Sequence, residues 1–307
     1  MTTVVLVGEP MVELDEAASR QIARRFGGDT FNTAVHLAVE APTLSVQYVS
    51  AVGDDPFSTE LITFGTAHGI DMSPVSVERG GVIGLYLIVT DPAGERSFTY
   101  WRGDSPARRM FSAPDPVRLP PAGEIDVLMF SGITLAILDD HGREFLTAAA
   151  CGVRQAGGIV AYDPNHRPRL WSAPVAGEWL RCVASTGAMV LASAEDGLVL
   201  GAGSRSVSGA AAFAAYLRDA GAREVAVTAA AGSCVLSWGD RSAEVAAEPV
   251  DVVVDSTGAG DAFNAGYLGA RLAGSDAVEA ARRGHRRAAL VVGHRGAIAG
   301  MTARTDI

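Results

Sequence analysis

Short apolar runs that leave no face free for water recur along this chain, each followed by a stretch with helical spacing. TVVLVG (3–8) leads towards a helix near DTFNTAVHLAVE, SVQYVSAVG (45–53) precedes PFSTELITFGTAHG, and DVLMFSG (126–132) precedes DDHGREFLTAAACGVRQAG. GIVAYD, AMVLAS and EVAVTA continue the alternation. A strand that is apolar on both faces needs cover on both, and intervening helices supply it in a parallel sheet. We therefore expect one α/β domain over 1–307: a doubly wound, mainly parallel sheet with helices on both faces. One region breaks the rhythm. GVIGLYLIVTDPAGERSFTYWRG (81–103) reads as two strands joined by a turn at Asp91-Pro92-Ala93-Gly94. A hairpin inserted in such a fold is a candidate small β lid, or else an edge decoration.

Charge and composition narrow the partners. The formal net charge is −10 at pH 7, whereas nucleic acid or an anionic membrane demands a basic surface. The cluster Arg282, Arg283, Arg286 and Arg287 reads as a solvated helix face. A small molecule is the expected partner. Cys151, Cys182 and Cys234 are far apart and lack zinc spacing, so they read as reduced thiols of a cytoplasmic protein. No segment is long and apolar enough to span a bilayer. All 25 residues in the Lys plus Arg total are arginines. Without a lysine amine, a Walker-type P-loop, the strand lysine of protein kinases and Schiff-base chemistry are excluded. Backbone and arginine must handle any nucleotide.

Near the end stands DVVVDSTGAGDAFNAGYL (251–268). VDVVVD reads as a strand, and Phe263 and Tyr267, four apart, place a helix start at or just before Asp261. Unpaired amides and the positive end of the helix dipole converge there, and glycines let an anion approach. Asp261 would then serve as a general base, with the amides of Ala259, Gly260 and Asp261 stabilising a moving phosphoryl group. A plain glycine turn capped by the Asp is the other reading, and the short motif leaves both open.

The longer string DSTGAGDAFNAG closely resembles the C-terminal signature of the ribokinase-like, or PfkB, carbohydrate kinases. The resemblance implies Asp261 as catalytic base, Gly258, Ala259 and Gly260 as the anion hole, and Asp255 as support for the loop. RFGGDTFNTAVHLA supplies the family's N-terminal glycine pair at Gly27 and Gly28, with Asp29 and Asn32 suited to sugar hydroxyls. GGDTFN and the opening VGEPMVEL resemble the branch whose members phosphorylate 2-keto-3-deoxygluconate. In RSFTYWRGDS the two-residue period sets Phe98, Tyr100 and Arg102 on one face. An arginine can grip a carboxylate with two parallel bonds, although the residues alone also fit a packed tyrosine and a solvated arginine. The resemblance places substrate contacts at Tyr86, Tyr100 and Arg102.

Asp163, Asn165 and Arg167 match the family's D-x-N-x-R at the end of a strand, where ligands bind in open α/β sheets. Arg167 is expected to reach substrate or phosphate. Ser193 and Asp196 match, with substitutions, an Asn-x-x-Glu element linked to magnesium. Thr228 and Gly232 fall in a nucleotide segment in which Ala230 replaces the usual glycine, and His285 stands where an asparagine near the adenine is common. The implied activity uses ATP and Mg2+ to phosphorylate the terminal hydroxyl of 2-keto-3-deoxygluconate. Mg2+ would be held through ATP phosphates and water, with Asp163, Asn165 and Asp196 as outer groups. A ribokinase- or fructokinase-like enzyme of a neutral sugar is the alternative, and a non-catalytic sugar or nucleotide sensor is the alternative of another class. A homodimer is a family-level expectation.

Overall fold

The computed structural model describes residues 1–16, 21–90, 96–201, 207–229, 232–247, 249–250 and 252–298. The turn expected at 91–94 and Ala230 lie outside them. In chain order the strands are β1 (Thr3–Val7), β2 (Met11–Glu16), β3 (Ile22–Gly27), β4 (Ser45–Gly53), β5 (Val75–Glu78), β6 (Gly84–Thr90) and β7 (Arg96–Trp101). They continue as β8 (Val127–Ser131), β9 (Ile159–Asp163), β10 (Met189–Ser193), β11 (Glu224–Ala229), β12 (Ser233–Trp238) and β13 (Arg241–Ala246). The helices are α1 (Asp29–Glu40), α2 (Pro56–Ala67), α3 (Gly132–Ile137), α4 (Asp140–Gln155) and α5 (Ala173–Ser185). After them come α6 (Ala194–Leu200), α7 (Ala210–Asp219), α8 (Ala259–Leu272) and α9 (Ala277–Val292).

The large sheet runs β13-β12-β11-β10-β9-β8-β1-β4-β5. Its strands from β11 to β5 are all parallel, and only β12 and β13 run against their neighbours. Alternating side chains divide between two cores. Val5, Val7, Leu128 and Phe130 pack with Leu146 of α4, Leu180 of α5 and Phe213 of α7. Val4, Leu6, Val127 and Met129 pack on the opposite face with Phe31 of α1, Leu268 of α8 and Ala281 of α9. Each fully buried large aliphatic or aromatic side chain contributes about 1.5–3 kcal/mol, so β1, inaccessible over Val4–Val7, is stable only with helices on both sides. This is the doubly wound arrangement expected from the sequence. Among the described residues no helix is long and apolar enough to cross a membrane.

The expected hairpin forms as β6 and β7, but it does not stand alone. A second sheet of order β3-β2-β6-β7 takes half of its strands from 11–27, where charged residues hide the strand signal. Its register aligns Arg25, Glu13, Tyr86 and Tyr100 in one row across the four strands. The sequence reading is corrected at VDVVVD: none of its described residues joins a strand. The amides of Val254 and Asp255 both donate to the Val292 carbonyl at the end of α9, and Val252 and Val253 are exposed. With its amides committed to a helix end, this run has no ladder to enter.

Candidate active site

Gly258 is the N-cap of α8, in the left-handed region at φ 76°. A Cβ there would lie 2.5 Å from the Ala297 Cβ, so both the backbone angle and the close approach require glycine. Gly260 differs: a Cβ at that position would meet nothing within 4 Å, which leaves its side of the helix tip open. Asp255 braces the turn from below. Its Oδ1 accepts from the Thr257 amide at 2.7 Å and its Oδ2 from the Gly296 amide at 2.9 Å. Behind Ala297, the buried His36 donates from Nε2 to the Ala297 carbonyl at 2.8 Å and accepts at Nδ1 from Arg287.

Asp261 is the third residue of α8 rather than its cap, which removes the capping reading of the motif. Its Oδ2 accepts from Asn32 Nδ2 at 2.7 Å, and its carbonyl from the Thr33 hydroxyl at 3.3 Å. The residue stays partly exposed. Burial of the carboxyl, followed by the charge of Asp29, pushes its pKa to about 7, while the Asn32 bond and the Arg167 charge oppose that rise. A carboxylate so tuned can take a proton near neutral pH.

Two further loops converge on this carboxylate. Gly28, at φ 122°, begins α1 and presents Asp29 and Asn32; a Cβ on it would strike the Glu9 carbonyl at 2.3 Å. Beyond β9, Asn165 occupies φ 33°, a costly conformation for a non-glycine residue. Its amide donates to Asp163 Oδ1 and its side chain to Asp29 Oδ2, both at 3.0 Å. Asp163 Oδ2 accepts from Asn264 Nδ2 at 2.7 Å. Burial, with Asp196, Asp261 and Asp29 nearby, holds the Asp163 carboxyl well above the usual range. Arg167 is exposed, and among the described residues its side chain makes no hydrogen bond.

On the small sheet, Phe98, Tyr100 and Arg102 share a face as their spacing predicts. The Phe98 and Tyr100 rings stack at 6.4 Å, and the Arg102 guanidinium lies 5.9 Å from the Tyr100 centroid. Tyr86 joins them, 5.8 Å from Tyr100. Its hydroxyl donates to Glu13 Oε2 at 2.6 Å and is the atom that a Cβ at Gly27 would meet. Arg102 is not solvated; it pairs with the buried Glu9. Arg169, just past the Asp163 loop, donates to the Phe98 carbonyl at 2.8 Å and ties the two regions together.

The residues assigned to nucleotide are more dispersed. Ser193 caps α6 and donates to Asp196 Oδ2 at 2.8 Å, and Asp196 Oδ1 accepts from the His166 amide. Thr228 stands beside Ser193 in the sheet register. Gly232 makes the β11–β12 turn at φ 76°. His285 is buried, edge-on to Phe263, and donates to the Val245 carbonyl at 3.2 Å. Among the described residues, no three His, Cys, Asp or Glu side chains are grouped to hold a metal ion.

Several participants escaped the sequence reading. Asn264 could have been found, because it lies one helical turn after Asp261 on α8. Glu9 and Glu13 lie within VGEPMVEL, His36 within DTFNTAVHLAVE, and His166 and Arg169 in or just after the D-x-N-x-R stretch, but none had a role of its own in the sequence; only the fold brings them in.

Comparison with known proteins agrees with this geometry. A family profile described as pfkB family carbohydrate kinase matches residues 1–304. A 2-dehydro-3-deoxygluconokinase of Escherichia coli (strain K12) is 37% identical over 306 residues, covering 96% of each chain. One from Dickeya dadantii (strain 3937) is also 37% identical and covers 97% of each. Among solved structures, the aminoimidazole riboside kinase of Salmonella enterica, complexed with aminoimidazole riboside and an ATP analog, aligns with a TM-score of 0.83. That alignment covers 97% of this chain and 96% of that one at 24% identity. With a helix tip open at Gly260, a tuned carboxylate beside it and a family match over nearly its full length, this chain belongs to the pfkB family of carbohydrate kinases.

Proposed function

We propose that this chain is an ATP-dependent kinase that transfers the γ-phosphoryl group to the terminal hydroxyl of 2-keto-3-deoxygluconate. The observation that carries the reading is Asp261: a partly exposed carboxylate with its pKa pushed to about 7, oriented by Asn32, one residue from the open face of Gly260. The names of the E. coli and D. dadantii relatives support the choice of substrate.

Asp261 takes the proton of the acceptor hydroxyl as the hydroxyl oxygen bonds to the γ-phosphorus, and the bond from that phosphorus to the β–γ bridging oxygen breaks, releasing ADP. The amides of Gly260 and Asp261 in the first turn of α8 stabilise charge on the transferring group, beside the Ala259 amide, which donates to the Ser256 carbonyl at 3.3 Å. Arg167, exposed and close enough for its charge to act on Asp261, supplies a cation at the same end. Tyr86, Tyr100 and Arg102 hold the sugar acid from the small sheet, which acts as the lid and keeps water out. Asp163, Asn165 and Asp196 would fit an outer contact to magnesium: both Asp163 oxygens and Asp196 Oδ1 accept one hydrogen bond each and keep a lone pair, and Asn165 offers its amide oxygen. Magnesium, when bound with the nucleotide, supplies charge neutralisation between phosphoryl oxygens. Ser193 and His285, committed to a helix cap and to packing, would shape the nucleotide site more than grip it. The free thiols Cys151, Cys182 and Cys234 suit the reducing cytoplasm. Exposed Ile22, Val82 and Trp101 on and beside the small sheet support a homodimer.

The test is a coupled ADP-release assay across ketodeoxygluconate, ketodeoxygalactonate, fructose, ribose and nucleosides. Preference for the first supports the proposal; preference for a neutral sugar, or no turnover with any, rejects it.

A further inference from the structure

Glu9 lies just beyond β1, where the chain leaves the large sheet for the small one, and only 1% of its side chain is exposed. A carboxylate so placed is costly unless it is paired. Its surroundings are close on three sides. Its carbonyl fills the space of a Cβ at Gly28, and its Oε1 lies 2.8 Å from the place of a Cβ at Gly84, where β6 begins. Its Oε2 accepts from Nη2 of Arg102. The guanidinium is a planar fork with five N–H donors, and Glu9 engages one edge of it. Arg102 also borders Tyr100, which neighbours Tyr86; the Tyr86 hydroxyl lies by Gly27, where Asn32 also approaches. A run of neighbours therefore leads from Arg102 through Tyr100, Tyr86 and Asn32 to Asp261.

We propose that Glu9 is a positioning residue that sets selectivity for the sugar acid: by fixing one edge of the Arg102 guanidinium, it aims the rest of the fork at the substrate carboxylate. The proposal rests on the sugar-acid reading above. A long side chain free to rotate loses rotamer freedom each time it binds a ligand, and the buried pair removes that loss beforehand. Glu9 acts on the end of the substrate remote from the reacting hydroxyl, so its removal weakens acid binding without slowing phosphoryl transfer to match.

The experiment compares 2-keto-3-deoxygluconate with 3-deoxyfructose, which carries CH2OH in place of the carboxylate and keeps the other hydroxyls. KM and kcat are measured for the acid. For the neutral analogue, an inhibition constant against the acid is measured. Glu9→Ala is expected to raise the KM of the acid about tenfold more than the constant of the analogue, with a kcat change under about threefold. Glu9→Gln, whose amide oxygen still accepts from Arg102, is expected to recover most of the loss. If Glu9→Ala does not fold, Glu9→Asp keeps the charge but loses reach, and the same selective loss is expected. Equal losses for both ligands, a loss confined to kcat, or no loss would overturn the proposal. Arg102→Gln separates the two ideas, since its amide can still donate to Glu9. If it harms both ligands equally, the sugar-acid reading fails. If it harms only the acid while the Glu9 variants are silent, the role of Glu9 alone fails.

Discussion

The phosphoryl end and the sugar end of the site are built on different principles. At the tip of α8 the working groups are consecutive: Gly258, Ala259, Gly260 and Asp261 deliver backbone amides and one carboxylate within a single helical turn. On the small sheet they come from separate strands. Arg25, Glu13, Tyr86 and Tyr100 form a transverse row, linked by Tyr86 to Glu13 at 2.6 Å and Arg25 to Glu13 at 3.4 Å, with the Glu9–Arg102 pair beside it. One end relies on backbone geometry, which only a few residue types permit. The other relies on buried carboxylates holding donors in place, so each donor depends on a partner that is distant in sequence.

Asp261→Asn probes the first principle with the largest expected effect. Loss of a general base should lower kcat by about 10³-fold, measured by steady-state kinetics, with the far-ultraviolet spectrum unchanged. The same change should stabilise the protein. The folded pKa of about 7 lies above the ordinary carboxyl value of 3.8, so between these values the folded state holds a proton that the unfolded chain has released. Stability from this group is therefore present at low pH and lost as pH rises through 7. Removing the charge should add roughly 1–4 kcal/mol at pH 8 and little at pH 4, as thermal melts at the two values would show. In the wild type, kcat/KM should fall as pH drops below about 7, because the base becomes protonated.

Arg102→Leu tests the second principle through stability. It leaves Glu9 buried without its cation, which should cost about 3–5 kcal/mol in denaturant unfolding. Adding Glu9→Gln should restore part of that loss; additive losses would show that the two side chains are not coupled. Gly258→Ala should cost roughly 1–3 kcal/mol, because it combines a positive φ with a Cβ against Ala297. Its kcat should fall while the KM for the sugar acid holds, and a KM effect alone would blur the division between the two ends. Tyr86→Phe is the mildest change. It removes the hydroxyl that satisfies Glu13, whose carboxyl burial already holds above its usual range, and should cost about 1 kcal/mol with a raised sugar KM.

Legibility followed the same divide. β4 and β11 were readable to the residue, since most positions on both faces of each are buried, although Gln47, Ser50 and Thr228 interrupt the apolar runs. β2 and β3 were not, because MVELDE buries only its first three positions, the charged Glu13 among them, and IARRFG only its last, so neither shows an apolar alternation. VDVVVD had the composition of a strand, yet its neighbour is the end of α9 rather than a ladder. The hairpin of β12 and β13 at the sheet edge also went unread; Ser233, Ser237 and Arg241 dilute its apolar signal. At the site, the GAGD turn announced itself because an anion hole needs glycine at fixed local positions. Arg102 was found, but as a solvated or substrate-facing cation; its pairing with Glu9 came from the fold.

Periodicity, glycine placement and the absence of lysine were enough to specify an α/β sheet, to point to a candidate anion site at a helix tip and to exclude lysine-dependent nucleotide chemistry. These properties rest on burial and backbone angles, which act over a few neighbouring residues. Folding in three dimensions settled which carboxylate holds which donor, why Asp261 titrates near neutrality, and that half the small sheet comes from 11–27. Charge interactions depend on distance and on how much water remains between the groups, and neither quantity exists until strands remote in the chain have been brought together.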